Sequence, residues 1–219
     1  MSLVDGVGTR LGSRLVLATR SPHKLGELRD LLGLDRTELL TLDDLAVVGE
    51  AVEDGPTFEA NARIKAIFAV RATGLPSLAD DSGLEVDALD GGPGVRTRRY
   101  AGEAATDADN NAKLLRELAA LPPERRGARY VCVLALALPG ERGHDRGTRL
   151  IIRRGTCRGR IAMAPRGGAG FGYDPIFEPY LEPPGGRTFG QYSEAEKNRI
   201  SHRARAARRM ERILTGLGF

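Results

Sequence analysis

The longest apolar run in the chain, residues 131–138, restricts the possible folds of this protein more than any other feature of the sequence. It reads VCVLALAL, eight consecutive apolar residues without a glycine, a proline or a charge. A membrane-spanning helix needs about 18 to 20 such residues, so this run is too short to cross a bilayer. Short runs of Val and Leu are typical of strands that are buried on both faces. The run therefore predicts a central strand of a buried sheet.

Shorter apolar segments alternate with helical patterns along the rest of the chain. The predicted elements are strands at 15–19, 78–80, 84–86, 130–138 and 150–160, helices from Pro22, at 58–72 and at 107–121, and a C-terminal helical segment. The prolines at 122 and 123 should end the third helix. Because strands and helices alternate early and strands pair later, we expect a mixed α/β sheet with helices on its faces.

Composition excludes a disordered chain, because 41% of the 219 residues are hydrophobic and 28% are charged. Residues 1–14 lack the apolar segment of a signal peptide, which favours a cytoplasmic protein. The two cysteines, Cys132 and Cys157, have no metal-binding spacing, and we expect both to be reduced core residues. Residues 1–13 are expected to form a tail and residues 139–147 a hairpin loop.

Positive charge is concentrated at the C-terminal end. The net charge is +4, yet residues 197–219 alone carry seven Lys or Arg and one Glu. A nucleic-acid-binding module is one interpretation of this pattern. The other is a helix with a solvated arginine face, since the remaining positions repeat at helical spacing as a core stripe: Ile200, Ala204, Ala207, Met210 and Leu214.

Residues 19–24, TRSPHK, stand between a predicted strand and a predicted helix. Such turns present free backbone N–H groups and the positive end of a helix dipole, which favour anions. Lys24 adds a positive charge one turn into the helix. The segment therefore predicts a phosphate contact, with an ordinary capped turn as the alternative. It is not a Walker P-loop, because the chain contains no GxxxxGK[ST] sequence.

Residues 78–83, LADDSG, place two carboxylates at the end of an apolar strand. Buried neighbouring carboxylates repel each other, and a divalent cation such as Mg²⁺ removes that conflict. Because strand side chains alternate between faces, only Asp80 or Asp81 should face a given cleft. The alternative is a solvated turn. Glu53, Asp54 and Glu59 supply further acids upstream.

Residues 167–175, GGAGFGYDP, combine glycines with two aromatic residues. Glycine lets a backbone approach a ligand closely, and Phe171 or Tyr173 offers a ring. Asp174 is a candidate acceptor for the edge of a nucleotide base. The segment is not a dinucleotide-binding GxGxxG fingerprint. A loop with buried aromatic residues is the alternative.

Residues 192–203, YSEAEKNRISHR, begin with a capping box between Ser193 and Glu196. On one continuous helix, Lys197 and His202 would lie about 140° apart and could not share a ligand. If they share one, the helix must break between them. Asn198 or Ser201 would then cap a second helix, with His202 and Arg203 in its first turn, and this placement would aim both side chains and free N–H groups at a phosphate.

The combination of segments is more specific than any one of them. The sequences DDSGLEVD at 80–87, GGPG at 91–94, RYAG at 99–102, GFGYDPIF at 170–177 and KNRISHR at 197–203 occur in one chain. This closely resembles the inosine/xanthosine triphosphate pyrophosphatase family of RdgB-like house-cleaning enzymes, from about residue 15 to 214. The resemblance implies an elongated mixed sheet flanked by helices, with two lobes around a nucleotide cleft in one domain over residues 14–216.

The same resemblance implies Mg²⁺-dependent hydrolysis of dITP, ITP and XTP to the monophosphate and pyrophosphate by a homodimer. It implies no nucleic-acid or membrane partner. Asp81 matches the catalytic base and, with Glu53, the metal ligands. The positions that match substrate contacts are Thr19, Arg20, Ser21, Pro22, His23, Lys24, Ser82, Phe171, Gly172, Tyr173, Asp174, Lys197, His202 and Arg203.

Ser21 departs from the family pattern, which usually has Asn at this position: serine keeps a hydroxyl but lacks the amide. A related Maf-like pyrophosphatase acting on pyrimidine or modified-base nucleotides is the competing enzymatic interpretation.

Overall fold

The computed structural model describes residues 13–140 and 147–219. Residues 1–12 of the predicted tail and residues 141–146 of the predicted hairpin loop lie outside the described residues. The chain divides into two compact units. Unit 1 is drawn from Met1–Asp81, Val133–Arg154 and Arg205–Phe219, and unit 2 consists of Ser82–Cys132 and Gly155–Ala204. The expectation of one domain over 14–216 stays a prediction.

The strands form one six-stranded sheet in the order β2-β1-β3-β4-β5-β6. Its strands are β1 Arg14–Leu17, β2 Glu38–Thr41, β3 Ser77–Val86, β4 Gly127–Leu138, β5 Arg149–Ile161 and β6 Phe177–Pro179. The α-helices are α1 Pro22–Leu32, α2 Phe58–Thr73, α3 Asp107–Glu117, α4 Glu194–Ile200 and α5 His202–Leu217. β1 is parallel to β2 and β3, whereas β6 is antiparallel to β5, so the predicted mixed α/β sheet is confirmed. Within the described ranges, no helix is long and apolar enough to cross a membrane.

Unit 1 packs its helices through small and aliphatic side chains. α2 begins at the N-cap Thr57, ends at Gly74 in the left-handed conformation, and buries Ala62, Ala66 and Ala69 completely. These alanines recur three and four residues apart, which places them on one helix face. On α5 the predicted core stripe is confirmed for Ala204, Ala207, Met210 and Leu214, which are fully buried, and the arginines at 205, 208, 209 and 212 are exposed. Ile200, its first predicted member, lies at the end of α4 and is only half-buried.

Unit 2 has an aromatic core. Tyr130 on β4 lies 4.7 Å from Phe177 on β6, and Phe189 lies 5.2 Å from Phe177, measured between ring centroids. Leu114 and Leu118 close the cluster from the side of α3. Both cysteines are buried and unpaired by disulfide, as expected from the sequence.

Two sequence-based boundaries are wrong. The residues 78–86 form one continuous strand, and no turn interrupts it at the acidic pair, because Asp80 and Asp81 are 1% and 7% exposed and paired inside the protein. Helix α3 ends at Glu117 rather than at residue 121. A turn in which Leu121 N–H bonds to Leu118 C=O takes over before the prolines, and it points both leucines at the unit 2 core.

Candidate functional site

The predicted site residues fall into two sets, one in each unit. Residues 19–24, Glu53 and Asp81 belong to unit 1, whereas Ser82, residues 171–174 and residues 197–203 belong to unit 2. Asp81 and Ser82 are consecutive residues of β3, so a single peptide bond joins the two sets. Each set is described by itself.

The predicted phosphate segment, residues 19–24, leads from β1 into α1. Ser21 is the N-cap, and its hydroxyl accepts a hydrogen bond from the Lys24 N–H at 3.5 Å. Pro22 occupies the first turn of the helix, where a missing N–H costs nothing. The Thr19 hydroxyl accepts from the Ser21 N–H at 3.3 Å. The serine thus gives the helix start that an asparagine would also give.

Arg20 and His23 are exposed members of the same segment. The Arg20 guanidinium forms an ion pair with Asp43 and donates to the carbonyls of Val47 at 2.8 Å and Gly49 at 3.0 Å. It therefore holds the loop that follows β2. Its predicted contact with substrate stays a prediction.

The two carboxylates of the acidic pair each bind a different lysine. Asp80 accepts from the Lys24 ammonium at 2.6 Å, and Asp81 accepts from the Lys65 ammonium of α2 at 2.8 Å. Because β3 continues through both residues, their side chains point to opposite faces of the strand. The expectation that only one of them faces a given cleft agrees with this arrangement.

Glu53 reaches the same lysine from the other side, with its carboxylate 2.9 Å from Lys65 Nζ. The loop that carries it is fixed by the Gly55 N–H, which donates to Asn61 Oδ1 of α2 at 2.8 Å. A Cβ at position 55 would lie 2.6 Å from that oxygen, so only glycine allows this approach. Asn61 and Lys65 are one helical turn apart, and α2 therefore places both groups toward the loop.

We call Lys24, Glu53, Lys65, Asp80 and Asp81 the acid–lysine cluster. Its three carboxylates outnumber its two ammonium groups. Burial raises the pKa of Asp81 to about 6 even though two lysines oppose that shift. Burial also disfavours the charge of Lys65, but Asp81 and Glu53 outweigh it and raise the pKa of Lys65 above its ordinary value. The cluster is therefore short of positive charge.

The donors of the acid–lysine cluster suit a hard divalent cation. Asp81 and Glu53 converge on a single cationic group, the Lys65 ammonium, at 2.8 and 2.9 Å. Mg²⁺ typically takes one or two carboxylates from the protein and completes its shell with water and substrate phosphates. Residues 13–140 and 147–219 contain no group of three or more His, Cys, Asp or Glu side chains arranged for a metal. The residues therefore fit a metal shared with a substrate and do not form an all-protein cage.

In unit 2, Asp174 is the most highly connected of the predicted site residues. Its carboxylate accepts from Lys197 Nζ at 2.7 Å, from the Phe171 N–H at 2.9 Å and from the Tyr130 hydroxyl at 3.2 Å. It is 1% exposed. A Cβ at Gly170 would lie 2.1 Å from Asp174 Oδ2, so a glycine is required beside it. Both carboxylate oxygens are engaged within the protein, and a direct contact with a base stays a prediction.

The two aromatic rings of the glycine loop have different surroundings. The Tyr173 ring is buried in the unit 2 core, and its hydroxyl donates to the Thr97 carbonyl at 2.7 Å. The Phe171 ring is only half-buried, with Lys197 Nζ 4.7 Å and Arg203 Cζ 5.7 Å from its centroid. Phe171 is therefore the ring that a ligand can reach.

The conditional prediction of a helix break is confirmed. α4 ends at Ile200, and Ser201 has extended backbone angles, φ −63° and ψ 160°. Its hydroxyl then accepts from the Ala204 N–H at 3.1 Å, so it caps α5 as the sequence allowed. The break places His202 and Arg203 in the first turn of the new helix.

The two side chains after the break, Arg203 and His202, are held by different elements. Arg203 donates to the Ser82 hydroxyl at 2.8 Å and is 1% exposed. The His202 ring stacks on the Tyr130 ring, with centroids 4.6 Å apart and planes 8° from parallel. We call Ser82, Phe171, Asp174, Lys197 and Arg203 the aromatic–cation cluster.

The sequence reasoning missed two residues, Lys65 and Tyr130. Lys65 lies on α2 among buried alanines, and the one available signal was a lysine one turn after the amide Asn61. Tyr130 starts the apolar run of β4, where an aromatic residue looks like ordinary core. Neither residue carries a local signal that marks it as part of a site.

Comparisons with known proteins agree with the resemblance drawn from the motifs. The model of the Ham1 family matches residues 15–213. A dITP/XTP pyrophosphatase of Lactobacillus acidophilus is 44% identical over 210 residues, which cover 94% of this chain and 100% of that protein. A dITP/XTP pyrophosphatase of Mycolicibacterium paratuberculosis is 48% identical over 90% of this chain and 93% of its own.

Solved structures give the same result. The HAM1 protein of Coxiella burnetii superposes with a TM-score of 0.82 at 40% identity, covering 93% of this chain and 99% of that one. The Ham1 protein of Staphylococcus aureus gives 0.80 at 34% identity, over 93% and 99% of the two chains. Sequence, fold and family match thus agree over nearly the whole described chain, and the protein belongs to the Ham1 family.

Proposed function

We propose that this protein is a nucleoside-triphosphate pyrophosphatase that converts dITP, ITP and XTP to the monophosphate and pyrophosphate. The observation that carries the proposal is the Lys65 ammonium held between Asp81 and Glu53. One cluster thereby offers a carboxylate pair for a metal and positive charge for a phosphate chain. The names of the relatives, dITP/XTP pyrophosphatases, supply the substrate class.

Asp81 and Glu53 would hold the Mg²⁺ ion. When bound, the ion neutralises phosphate oxygens and lowers the pKa of a bound water. The shortage of positive charge in the acid–lysine cluster supports this assignment, because a divalent cation reverses it. Lys65 would then be released from one or both carboxylates and become available to the phosphate chain.

A nucleoside triphosphate carries about four negative charges, which the protein must match with cations and donors. Lys24 lies at the start of α1, where backbone N–H groups and the helix dipole also favour an anion. Lys24 and Lys65 therefore supply the protein's positive charge at the phosphate end. The pyrophosphate that leaves is already neutralised by these groups.

Asp81 is the group that accepts the proton of the attacking water. The water oxygen bonds to the α-phosphorus, the bond from that phosphorus to the bridging oxygen breaks, and pyrophosphate leaves with the electron pair. The Asp81 carboxylate accepts this proton as a general base placed beside the attacking water. No covalent intermediate is needed, and both cysteines are buried in the core.

The aromatic–cation cluster would bind the base. Lys197 and Arg203 are donors without acceptor capacity, and they outnumber the single carboxylate of the cluster, Asp174. A surplus of donors suits the 6-oxo group of hypoxanthine and xanthine and disfavours the 6-amino group of adenine. Phe171 supplies a ring face for stacking.

The decisive experiment measures pyrophosphate release from dITP, XTP, dGTP, dATP and dUTP, with Mg²⁺ and with EDTA. We expect rapid Mg²⁺-dependent release from dITP and XTP and at least about a hundredfold lower kcat/KM for dATP, because a mismatched polar edge leaves buried donors unpaired. Preferred turnover of dUTP would instead favour the Maf-like interpretation. Salt-sensitive DNA binding without any nucleotide hydrolysis would favour the nucleic-acid-binding one.

The resemblance further suggests a homodimer in the cytoplasm, and we include both in the proposal. Light scattering of the purified protein at micromolar concentration tests the first. A mass near twice 23.6 kDa is expected, and a mass of 23.6 kDa would contradict it.

A further inference from the structure

Helix α3 grips the backbone of the glycine loop from outside the aromatic–cation cluster. The Gly172 N–H donates to Asp107 Oδ2 at 2.6 Å, and the Gly172 carbonyl accepts from Asn111 Nδ2 at 3.0 Å. Asp107 and Asn111 are four residues apart, so they lie one above the other on the same helix face. Both hydrogen-bonding groups of one peptide residue are thus bound by one helix, more than sixty residues away in the chain.

The helix that makes this contact is itself firmly held. Thr106 and Asp109 form a reciprocal capping box at its start. Asn110 donates to the Arg98 carbonyl at 2.9 Å and accepts from the Ala101 N–H at 2.8 Å. With its leucines buried in the unit 2 core, α3 is a fixed platform for the loop.

The loop needs such a platform. It has no regular secondary structure between residues 162 and 173, and Gly170 and Gly172 have positive φ angles of 76° and 64°. Glycines in this conformation lose much backbone freedom on folding, so external bonds must hold them. Asp174 holds the Phe171 N–H from the inside. α3 binds the backbone of the next residue, Gly172. The backbone is therefore held both at Phe171 and directly after it.

Asn111 has a further peculiarity. The residue is 7% exposed. Its Oδ1 is buried and has no hydrogen-bond partner among the described residues. Its Nδ2, by contrast, donates to the Gly172 carbonyl, so this donor is the group through which Asn111 acts on the loop.

We propose that Asp107 and Asn111 are positioning residues that fix the orientation of the Phe171 ring and thereby set the affinity for the purine base. The inference rests on the proposed function, in which the aromatic–cation cluster binds the base. Neither residue contacts the substrate. Their effect passes through the backbone of Gly172 to the ring that precedes it.

The test compares D107A and N111D with D109A as the matched control. Asp109 lies in the same first turn of α3 and caps it, but it makes no bond to Gly172. N111D keeps the shape and replaces the donor by an acceptor facing the carbonyl. D107N keeps an acceptor for the Gly172 N–H and should rescue the defect of D107A.

We expect the KM for dITP to rise about tenfold in D107A and N111D, with kcat changed less than about threefold, because binding of the base is lost equally in ground and transition states. The inhibition constant of tripolyphosphate, which has no base, should stay constant. D109A and D107N should keep the wild-type KM within about twofold. Exchange of the Gly172 amide hydrogen, measured without nucleotide, should accelerate in D107A and not in D109A.

If the wild-type protein hydrolyses dITP and the KM values of D107A, N111D and D109A are equal, this inference is overturned and the proposed function is not. A rise in the tripolyphosphate inhibition constant that matches the rise in KM would overturn it too, because the effect would then be a general loss of structure. Absence of dITP and XTP turnover in the wild-type protein would instead contradict the proposed function. If D107A does not fold, N111D and D107N carry the comparison.

Discussion

The acid–lysine cluster of unit 1 and the aromatic–cation cluster of unit 2 both pair a carboxylate with a lysine at hydrogen-bonding distance, 2.8 Å for Asp81 and 2.7 Å for Asp174. Their surroundings differ. The side chains of Lys65 and Asp81 are 12% and 10% exposed and border Glu53, which is 41% exposed, whereas those of Lys197 and Asp174 are 6% and 2% exposed. The first pair therefore adjoins an exposed carboxylate, and the second lies in the interior.

The balance of charge also differs. Unit 1 brings three carboxylates to two lysines, so burial wins over attraction and raises the pKa of Asp81 to about 6. In unit 2 the Asp174 carboxylate accepts from Lys197, a backbone N–H and a hydroxyl, while Arg203 donates to the Ser82 hydroxyl. The divalent cation proposed above would balance the charge of the first cluster. The second is completed by the protein and presents surplus donors, which suits recognition of an oxygen-bearing base.

Asp81→Asn is expected to have the largest effect in either cluster. An amide cannot accept the proton of water, and loss of a positioned base typically costs 10²–10⁴-fold, so we expect kcat for dITP to fall about a thousandfold. Nucleotide binding, measured by calorimetry with the non-hydrolysed product IMP, should remain measurable. Asp54→Asn, an exposed carboxylate next to Glu53, is the control and should keep wild-type turnover. Normal turnover in Asp81→Asn would refute the assignment of the base.

Lys197→Met tests whether the charge of Asp174 in unit 2 is balanced by protein groups alone, without a metal ion. It leaves Asp174 buried without its ammonium partner, and breaking a buried pair in this way costs about 3–5 kcal/mol. In a chain of this size that corresponds to a fall in Tm of roughly 10 °C. Because no metal is needed in this cluster, Mg²⁺ should not restore the Tm. Recovery of stability with Mg²⁺ would contradict the contrast between the two clusters.

The pH dependence of stability separates the clusters through Asp81. An acid whose pKa rises from 3.8 in the unfolded chain to about 6 in the folded one contributes stability that is fully present below pH 3.8 and is lost as the pH rises through 6. In EDTA, the stability of Asp81→Asn relative to the wild type should therefore rise as the pH increases from 4 to 8. Denaturant titrations at several pH values measure it, and a constant difference across that range would show that the carboxylate is not strained by burial.

The sequence predicted the framework of both clusters better than their pairing. Strand β1, the start of α1 at Ser21, and the break between α4 and α5 were all derived from local signals: an apolar run, a cap followed by proline, and the angle between two cations on a helix. The break was predicted only on the condition that Lys197 and His202 share a ligand, because the geometry of one helix excludes such sharing; the break is present, and the sharing stays a prediction. These features depend on a few neighbouring residues.

The acidic pair shows where sequence reasoning failed. Asp-Asp-Ser-Gly has the composition of a turn, yet it lies inside β3 because Lys24 and Lys65 neutralise the two carboxylates from helices far away in the chain. No local pattern reports such pairing. Asp174 illustrates the same limit, since its three donors come from a loop, a strand and a helix. The residue types indicated that these carboxylates bind cations or donors. Which donor binds which carboxylate is decided by tertiary packing.

Lys65→Met tests the proposal that Mg²⁺ stabilises the acid–lysine cluster, and its expected loss of stability is smaller than that of Lys197→Met. Methionine keeps the stem of the side chain but leaves Glu53 and Asp81 without their shared ammonium. Because Glu53 is half-exposed, we expect a loss of only about 1–2 kcal/mol in EDTA. Mg²⁺ replaces the missing charge, so thermal melts in millimolar Mg²⁺ should recover most of the Tm, in contrast to Lys197→Met. Equal losses with and without Mg²⁺ would show that the ion does not bind these carboxylates.

Ser21→Asn addresses the smallest expected effect, a single donor at the phosphate end of unit 1. Both residues are good N-caps, so the free energy of unfolding should stay within about 0.5 kcal/mol of the wild type. The amide adds donors where the proposed triphosphate binds, and one neutral hydrogen bond corresponds to roughly a threefold lower inhibition constant for tripolyphosphate. Ser21→Ala, which removes the cap, is the control that lowers stability without adding a donor. A weaker affinity of Ser21→Asn for tripolyphosphate at unchanged stability would mean that the serine hydroxyl itself binds the phosphate chain.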